Sequence, residues 1–456
     1  MAPDVARSPW LPATAVLLLA ALRSAAAAGV GVESGAAAAA ALLKFKRALR
    51  DVDGRLSTWN AAADNPCRWA GVACSAGGEV TGVTLHGLNL HGSLSASLCG
   101  ALPRLAVLNV SHNALSGAIP PGLAACAALQ VLDLSVNLLS GEIPDDVGNL
   151  AALEKLLIYD NNLTGRIPTS IRSLQRLRVI RAGINDLSGR IPVELTECAS
   201  LEVLGLDQNR LTGTLPRELA RLKNLTSLVL WQNNFSGKIP PELGNCTNLQ
   251  VLDLSDNAFS GKIPPEFGQL SSIIQIDLSV NNLTGTIPKA FQNLSSLEIL
   301  ELSDNQLHGD IPPLLGANSN LWILYLSENQ LTGSIPPHLC KHQKLMTLNV
   351  GSNRLTGTIP KAFQNLSSLE YLQLSDNQLH GDIPALLGSN SNLSLLDLSD
   401  NQLTGSIPPH LCKYQKLESL NLGSNRLTGN IPPGLKACRT LERLLLGGNM
   451  LTGSFW

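Results

Sequence analysis

Hydrophobic positions in this chain follow one pattern with a period of about 24 residues. From Leu105 onward each unit reads L-x-x-L-x-L-x-x-N-x-L-x-G-x-I-P, as in Leu105, Leu108, Val110, Asn113, Leu115, Gly117, Ile119 and Pro120. The asparagine recurs without an insertion at Asn113, Asn137, Asn161, Asn185, Asn209, Asn233, Asn257, Asn281, Asn305, Asn329, Asn353, Asn377, Asn401, Asn425 and Asn449. A fixed period of this length marks a stack of units, each of which buries its leucines only against its neighbours. Within a unit the L-x-L core alternates inward and outward residues, which predicts a short parallel strand. The next x-x-L-x-x-L segment carries the chain back along the opposite side. The expected fold is an α/β repeat solenoid with its strands on a concave face.

The recurring asparagine has a structural reason to be there. Its amide offers donor and acceptor together, so it can satisfy turn backbone groups of adjacent coils that would otherwise be buried unpaired. Losing such a partner costs about 1–3 kcal/mol. These residues are therefore scaffold and not site candidates. Phe235, Phe259, Phe267, Phe291 and Phe363 occupy leucine positions and read as core. The first turn carries Leu88 where the asparagine belongs, as expected of a degenerate terminal repeat.

Before the repeats, Arg7, the apolar run from Leu11 to Leu22 and the alanines 25–28 read as a secretory signal cleaved near residue 28. The run is too short for the roughly 20 residues that a membrane span needs. Gly35 to Arg50 reads as an amphipathic helix with Leu42, Leu43, Phe45 and Leu49 on one side. The organisation is thus a signal peptide over residues 1–28, a cap over 29–79, and a solenoid of about 16 repeats over 80–456, the last incomplete.

Nine cysteines accompany this layout. Cys67 and Cys74 lie close together before the repeats and are expected to pair in an oxidising compartment, stapling the cap. Cys126, Cys198, Cys246 and Cys438 share one place after their asparagines, Cys340 and Cys412 share another two positions earlier, and Cys99 takes the equivalent place in the first turn. Partners a whole turn apart are expected to lie beyond disulfide reach, so these in-repeat cysteines read as small buried fillers. Acceptor sites for N-glycosylation stand at Asn109, Asn162, Asn224, Asn234, Asn245, Asn282, Asn293, Asn365 and Asn392, in keeping with secretion.

Composition then narrows the function. Net charge is −2 with 15% charged residues, so no basic field for nucleic acid is present. No nucleophile elbow, P-loop, zinc-hydrolase or kinase set appears, and the histidines recur as copies of repeat positions. No cofactor, metal site or catalytic residue is expected. What remains is surface, and here aromatic and charged residues stand out against a bland L-S-x-N background. Tyr159, Arg181, Asp207 and Trp231 replace it on successive strands about 5 Å apart, and Trp322 and Tyr325 do so later. Tyr, Trp and Arg dominate interface hot spots, so these six are the candidate ligand contacts. Residues 289–360 and 361–432 are near-identical copies with 13 differences, 9 of them in the seven residues before each asparagine. That bias favours a contact surface being retuned.

The cap motif L-L-K-F-K-R-A-L, the W-N…P-C-R-W-A-G-V-A-C segment and the L-T-G-x-I-P repeats together resemble the ectodomains of plant leucine-rich-repeat receptor kinases, closest to the subfamily XI type. The resemblance implies a superhelix with a second strand at L-T-G-x-I-P, cell-surface display, and a peptide or protein ligand read together with a co-receptor. The paired arginines that many such receptors use to hold a peptide's carboxyl end are reduced here to Arg443 in R-L-L. The sequence ends at L-T-G-S-F-W with no membrane-spanning or kinase segment. Two alternatives therefore accompany the receptor reading: a secreted inhibitor or decoy of cell-wall-degrading enzymes, and a fragment of a membrane receptor serine/threonine kinase.

Overall fold

A computed structural model describes residues 35–61 and 65–452. The expected signal peptide over residues 1–28 lies outside the described residues. A helix spans Gly35–Ala48 and seats Ala41, Leu42 and Phe45 in the core. The chain then forms a strand, Leu49–Asp51, antiparallel to Leu90–Ser93, where the helix was expected to run on to Arg50. The cap closes around Trp59 and Trp69, both buried with ring centroids 5.6 Å apart. The Trp59 indole donates to the Ala70 carbonyl at 2.8 Å, and Lys46 Nζ donates to the carbonyls of Leu56 and Trp59 at 2.7 and 2.9 Å. Cys67 and Cys74 are bonded, as expected.

From Val80–Thr84 to Arg443–Leu445 one short strand per coil pairs in parallel with the coil before and the coil after. The register advances by one whole repeat per step, as in Lys155↔Val179↔Val203↔Ser227. A second set of strands, such as Asn234–Lys238 beside Ala258–Lys262, forms at the S-G-x or T-G-x segment that the resemblance had implied. Most return segments are single turns of 3-10 helix, such as Pro241–Asn245, usually entered through a proline. One continuous core of leucines, isoleucines and the phenylalanines runs through all coils, with Phe235 and Phe259 stacked at 6.1 Å.

The asparagines perform the task predicted for them. Asn233 Nδ2 donates to Leu206, Leu230 and Trp231 carbonyls at 3.0, 3.1 and 3.4 Å, while its Oδ1 accepts the Leu211 N–H at 3.0 Å. One side chain thus satisfies groups in its own coil and in the coil before. Where the first turn has Leu88, Asn113 of the next coil serves alone, accepting from the Leu88 and Leu90 amides.

The in-repeat cysteines correct the expectation that all are unpaired fillers. Cys99 is bonded to Cys126, with Cα atoms 4.3 Å apart, and Cys412 to Cys438, with Cα atoms 5.8 Å apart. The error was geometric: a whole turn of this stack moves the chain sideways by only about one strand spacing, roughly 4.8 Å, well inside disulfide reach. A cysteine at the earlier place in one coil therefore meets a cysteine at the later place in the next. Cys198, Cys246 and Cys340 have no cysteine so placed and are buried and free. Burial pushes the Cys198 thiol up to about 11 and the Cys340 thiol up to about 12, which suppresses the reactive thiolate. Iodoacetamide at pH 8 is expected to label none of them in the native protein and all of them after unfolding, read by intact mass. Rapid native labelling would contradict the packing described.

Candidate functional site

In each coil, the strand residues four before the asparagine and the residues two before it form two parallel rows along the concave face. Arg181 belongs to the first row, followed by Gly205 and Val229. Tyr159, Asp207 and Trp231 belong to the second, with Gly183 in the gap between Tyr159 and Asp207. The four candidates thus come together on adjacent coils, but on two rows and not on one.

Glycine makes that grouping possible. A Cβ on Gly183 would stand 2.6 Å from Asp207 Oδ1, so the Asp207 carboxylate leans over the coil that carries Arg181. A Cβ on Gly205 would meet Asp207 Oδ1 at 3.6 Å and Arg181 Cγ at 3.8 Å. The Asp207 carboxylate occupies the space that Gly183's missing side chain leaves, whereas a Cβ on Gly205 would make only ordinary contacts. Burial raises the Asp207 carboxyl, while its backbone hydrogen bond and then the Arg181 guanidinium act against that rise. At the other end, burial and then Asp133 push the Tyr159 phenol up. Trp231 is half-buried, and its indole N–H is enclosed without an acceptor. An aromatic wall, an arginine near a buried carboxylate and a second aromatic wall span about three strand steps, roughly 15 Å.

Tyr325 lies on the first row, beside Glu301 and Asn349, four coils beyond Trp231. Trp322 precedes its strand, Ile323–Tyr325, and lines a separate shallow cleft of about 270 Å³ with Glu298, Asn320, Lys344 and Ser368. The structure therefore divides the six candidates into a cluster of four, one tyrosine apart from it beside Glu301, and one tryptophan at the margin of the strand face.

Sequence reasoning passed over three carboxylates. Asp253, Asp277 and Glu301 sit at paired positions of adjacent strands, continuing the row that begins at Arg181. They were hidden because Asp253 and Asp277 stand inside the commonplace L-D-L-S and I-D-L-S. The signal was their spacing: three acids at the same position of consecutive coils.

Eight of the nine glycosylation acceptors are exposed, and all eight lie off the two rows. Asn162, Asn234 and Asn282 begin second-set strands, Asn245, Asn293 and Asn365 end 3-10 turns, and Asn224 and Asn392 precede strands. Asn109 alone lies in the first row; it is half-buried, and its Oδ1 accepts from the Ser111 amide and hydroxyl at 2.9 and 2.7 Å. Among the described residues no helix is long and apolar enough to cross a membrane.

Family models agree with this geometry. Residues 37–75 match the leucine rich repeat N-terminal domain, and residues 223–283, 247–307, 275–331 and 343–403 match the leucine rich repeat, with single repeats matched at 104–126, 128–150, 152–174, 200–222 and 416–438. The ectodomain of the Arabidopsis receptor kinase HAESA, solved with an N-terminally extended IDA peptide hormone, superposes with a TM-score of 0.70 at 32% identity, covering 92% of this chain and 78% of that one. The chain belongs to the plant leucine-rich-repeat receptor ectodomains. The plant peptide hormone receptor RGFR1, solved in complex with RGF2, gives a TM-score of 0.76 at 38% identity over 80% of this chain and 58% of that one. A leucine-rich repeat receptor-like serine/threonine-protein kinase of Arabidopsis thaliana is 48% identical over 88 residues, which are 19% of this chain and 8% of that kinase. The match to that full-length relative thus spans less than a tenth of its length.

Proposed function

We propose that this protein is an extracellular recognition module that binds an extended peptide on the concave strand face and catalyses nothing itself. The observation that carries this reading is the cluster of Tyr159, Arg181, Asp207 and Trp231 on neighbouring coils, with Gly183 leaving the space that the Asp207 carboxylate fills. Nothing in the core demands those side chains there, and aromatic and arginine anchors are what a peptide-binding surface needs. A peptide lying along the stack meets a new coil about every 4.8 Å, so a segment of five or six extended residues covers the cluster.

The relatives support the same assignment: RGFR1 was solved with RGF2, and HAESA with IDA and, in another complex, with the co-receptor SERK1. A co-receptor is accordingly a second expected partner. Secretion past residue 28 fits three disulfides, and glycans at the eight exposed acceptors would leave the strand rows uncovered. Titration calorimetry of the secreted chain against synthetic RGF2, extended IDA and a scrambled control tests the reading. A saturable heat with one hormone and none with the scramble is the expected result. Equal heats for hormone and scramble, or binding that survives loss of the cluster, would overturn it.

A further inference from the structure

Asp253, Asp277 and Glu301 present the most unusual electrostatics on the concave face. Their strands pair in parallel, with Asp253 opposite Asp277 and Asp277 opposite Glu301. Three carboxylates therefore stand one strand spacing apart, about 4.8 Å. Asp253 is only 6% exposed, and Ser255 donates to its Oδ1 through both its amide, at 3.1 Å, and its hydroxyl, at 2.7 Å. Asp277 has the same arrangement with Ser279, at 2.9 and 2.6 Å.

The flanking strands bring no cation to the row. The strand before it offers Val229 and the strand after it offers Tyr325. The charged groups that act on Asp253 and Glu301 are the acids of the row and Asp207, on which Arg181 acts in turn. Tyr325 is in turn acted on by Glu301 and Tyr371. From residue 203 to residue 421 neither row of the concave face contains a lysine or arginine. On the core side the row backs onto Leu252, Ile276 and Leu300, all fully buried.

We propose that Asp253 and Glu301, on either side of Asp277, form a pH-sensitive switch on the ligand-facing strip, holding protons at mildly acidic pH and opposing the stacking of the three coils once those protons leave. Burial first, and then the neighbouring Asp277, raise Asp253 to about 7 and Glu301 to about 8. An ordinary carboxyl in an unfolded chain titrates near 4. The fold therefore binds these protons more tightly than the unfolded chain does. That contribution to stability is fully present below about pH 4 and is lost as pH rises through the window between about 4 and 8. Because the row continues the strip that begins at Arg181, its proton load also sets the charge that a ligand meets. The copied block is consistent with a local device: where the first copy has Glu301, the second has Gln373.

The switch does not rest on the identity, or the existence, of a ligand, and its test uses the secreted chain alone. Melting temperatures are measured at pH 4 and pH 8.5 for the wild type, Asp277→Asn, the triple variant Asp253→Asn/Asp277→Asn/Glu301→Gln, and Asp397→Asn. Asp397 occupies the same strand position, but its neighbours are Gln373 and Asn421, so it controls for loss of a carboxylate outside the row. The expected result is melting within about 1 °C of wild type at pH 4 and about 3 °C or more above it at pH 8.5 for both row variants, the conversion from free energy being a few degrees per kcal/mol. Asp397→Asn is expected to keep the wild-type pH dependence. Should the triple variant fail to fold, Asp277→Asn decides alone. A pH profile for Asp277→Asn parallel to the wild type, or an equal gain from Asp397→Asn, would overturn the proposal.

Discussion

Replacing Arg181 and Trp231 together with alanine is expected to weaken binding of the cognate peptide about 100-fold while leaving the melting temperature within a few degrees of wild type. Truncation of a central aromatic or arginine anchor typically costs about 2 kcal/mol, and two such losses on one ligand are not fully additive. Arg181 stands between two glycines and holds no core position, so its removal leaves no cavity. Trp231 is half-buried, with an indole N–H that has no acceptor to lose. Calorimetry against the peptide, with thermal melting in parallel, checks both halves of this prediction. A melting point many degrees lower would show that the pair is structural. Unchanged affinity would show that the ligand lies elsewhere.

The second large effect falls on the scaffold. Asn233→Ala is expected to destabilise the stack by about 3 kcal/mol. The side chain is buried and serves three carbonyls and one amide in two coils, and alanine would strand them away from water. The cost falls at the coil of Trp231 and at the coil before it, because each repeat interacts only with its neighbours. Local unfolding should therefore precede global unfolding, seen as hydrogen exchange that accelerates first around residues 206–235. A denaturation midpoint equal to wild type would mean that water or an alternative donor replaces the amide.

Much of the scaffold could be read from the chain because repetition turns three-dimensional placement into counting. Once Asn113 and Asn137 were recognised as equivalent, the inward leucines, the phenylalanine core and the role of the asparagine amide followed, and the structure agrees. Counting failed where lateral distance mattered. A whole turn looks long in sequence, yet it displaces the chain by one strand spacing, so Cys99 meets Cys126 and Cys412 meets Cys438. Parity failed at Trp322, which stands just before its strand and lines the cleft with Glu298 and Lys344 instead of joining the row of Tyr325.

The candidate site was legible where it broke the repeat and illegible where it kept to it. Tyr159, Arg181, Asp207 and Trp231 announced themselves by replacing a bland consensus, although their division into two rows needed the strand register. The acid row did the opposite. Asp253 and Asp277 each look ordinary in one repeat, and only their stacking on adjacent strands makes them unusual.

The central claim, that a peptide lies along the concave rows, is tested most directly by hydrogen exchange of the secreted chain with and without a bound peptide hormone. Protection is expected at Lys155–Leu157, Val179–Arg181, Val203–Gly205 and Ser227–Val229 and at the residues just after them, with none on the 3-10 turns. Protection confined to the second-set strands or to turns such as Pro241–Asn245, with the four concave strands unchanged, would contradict it.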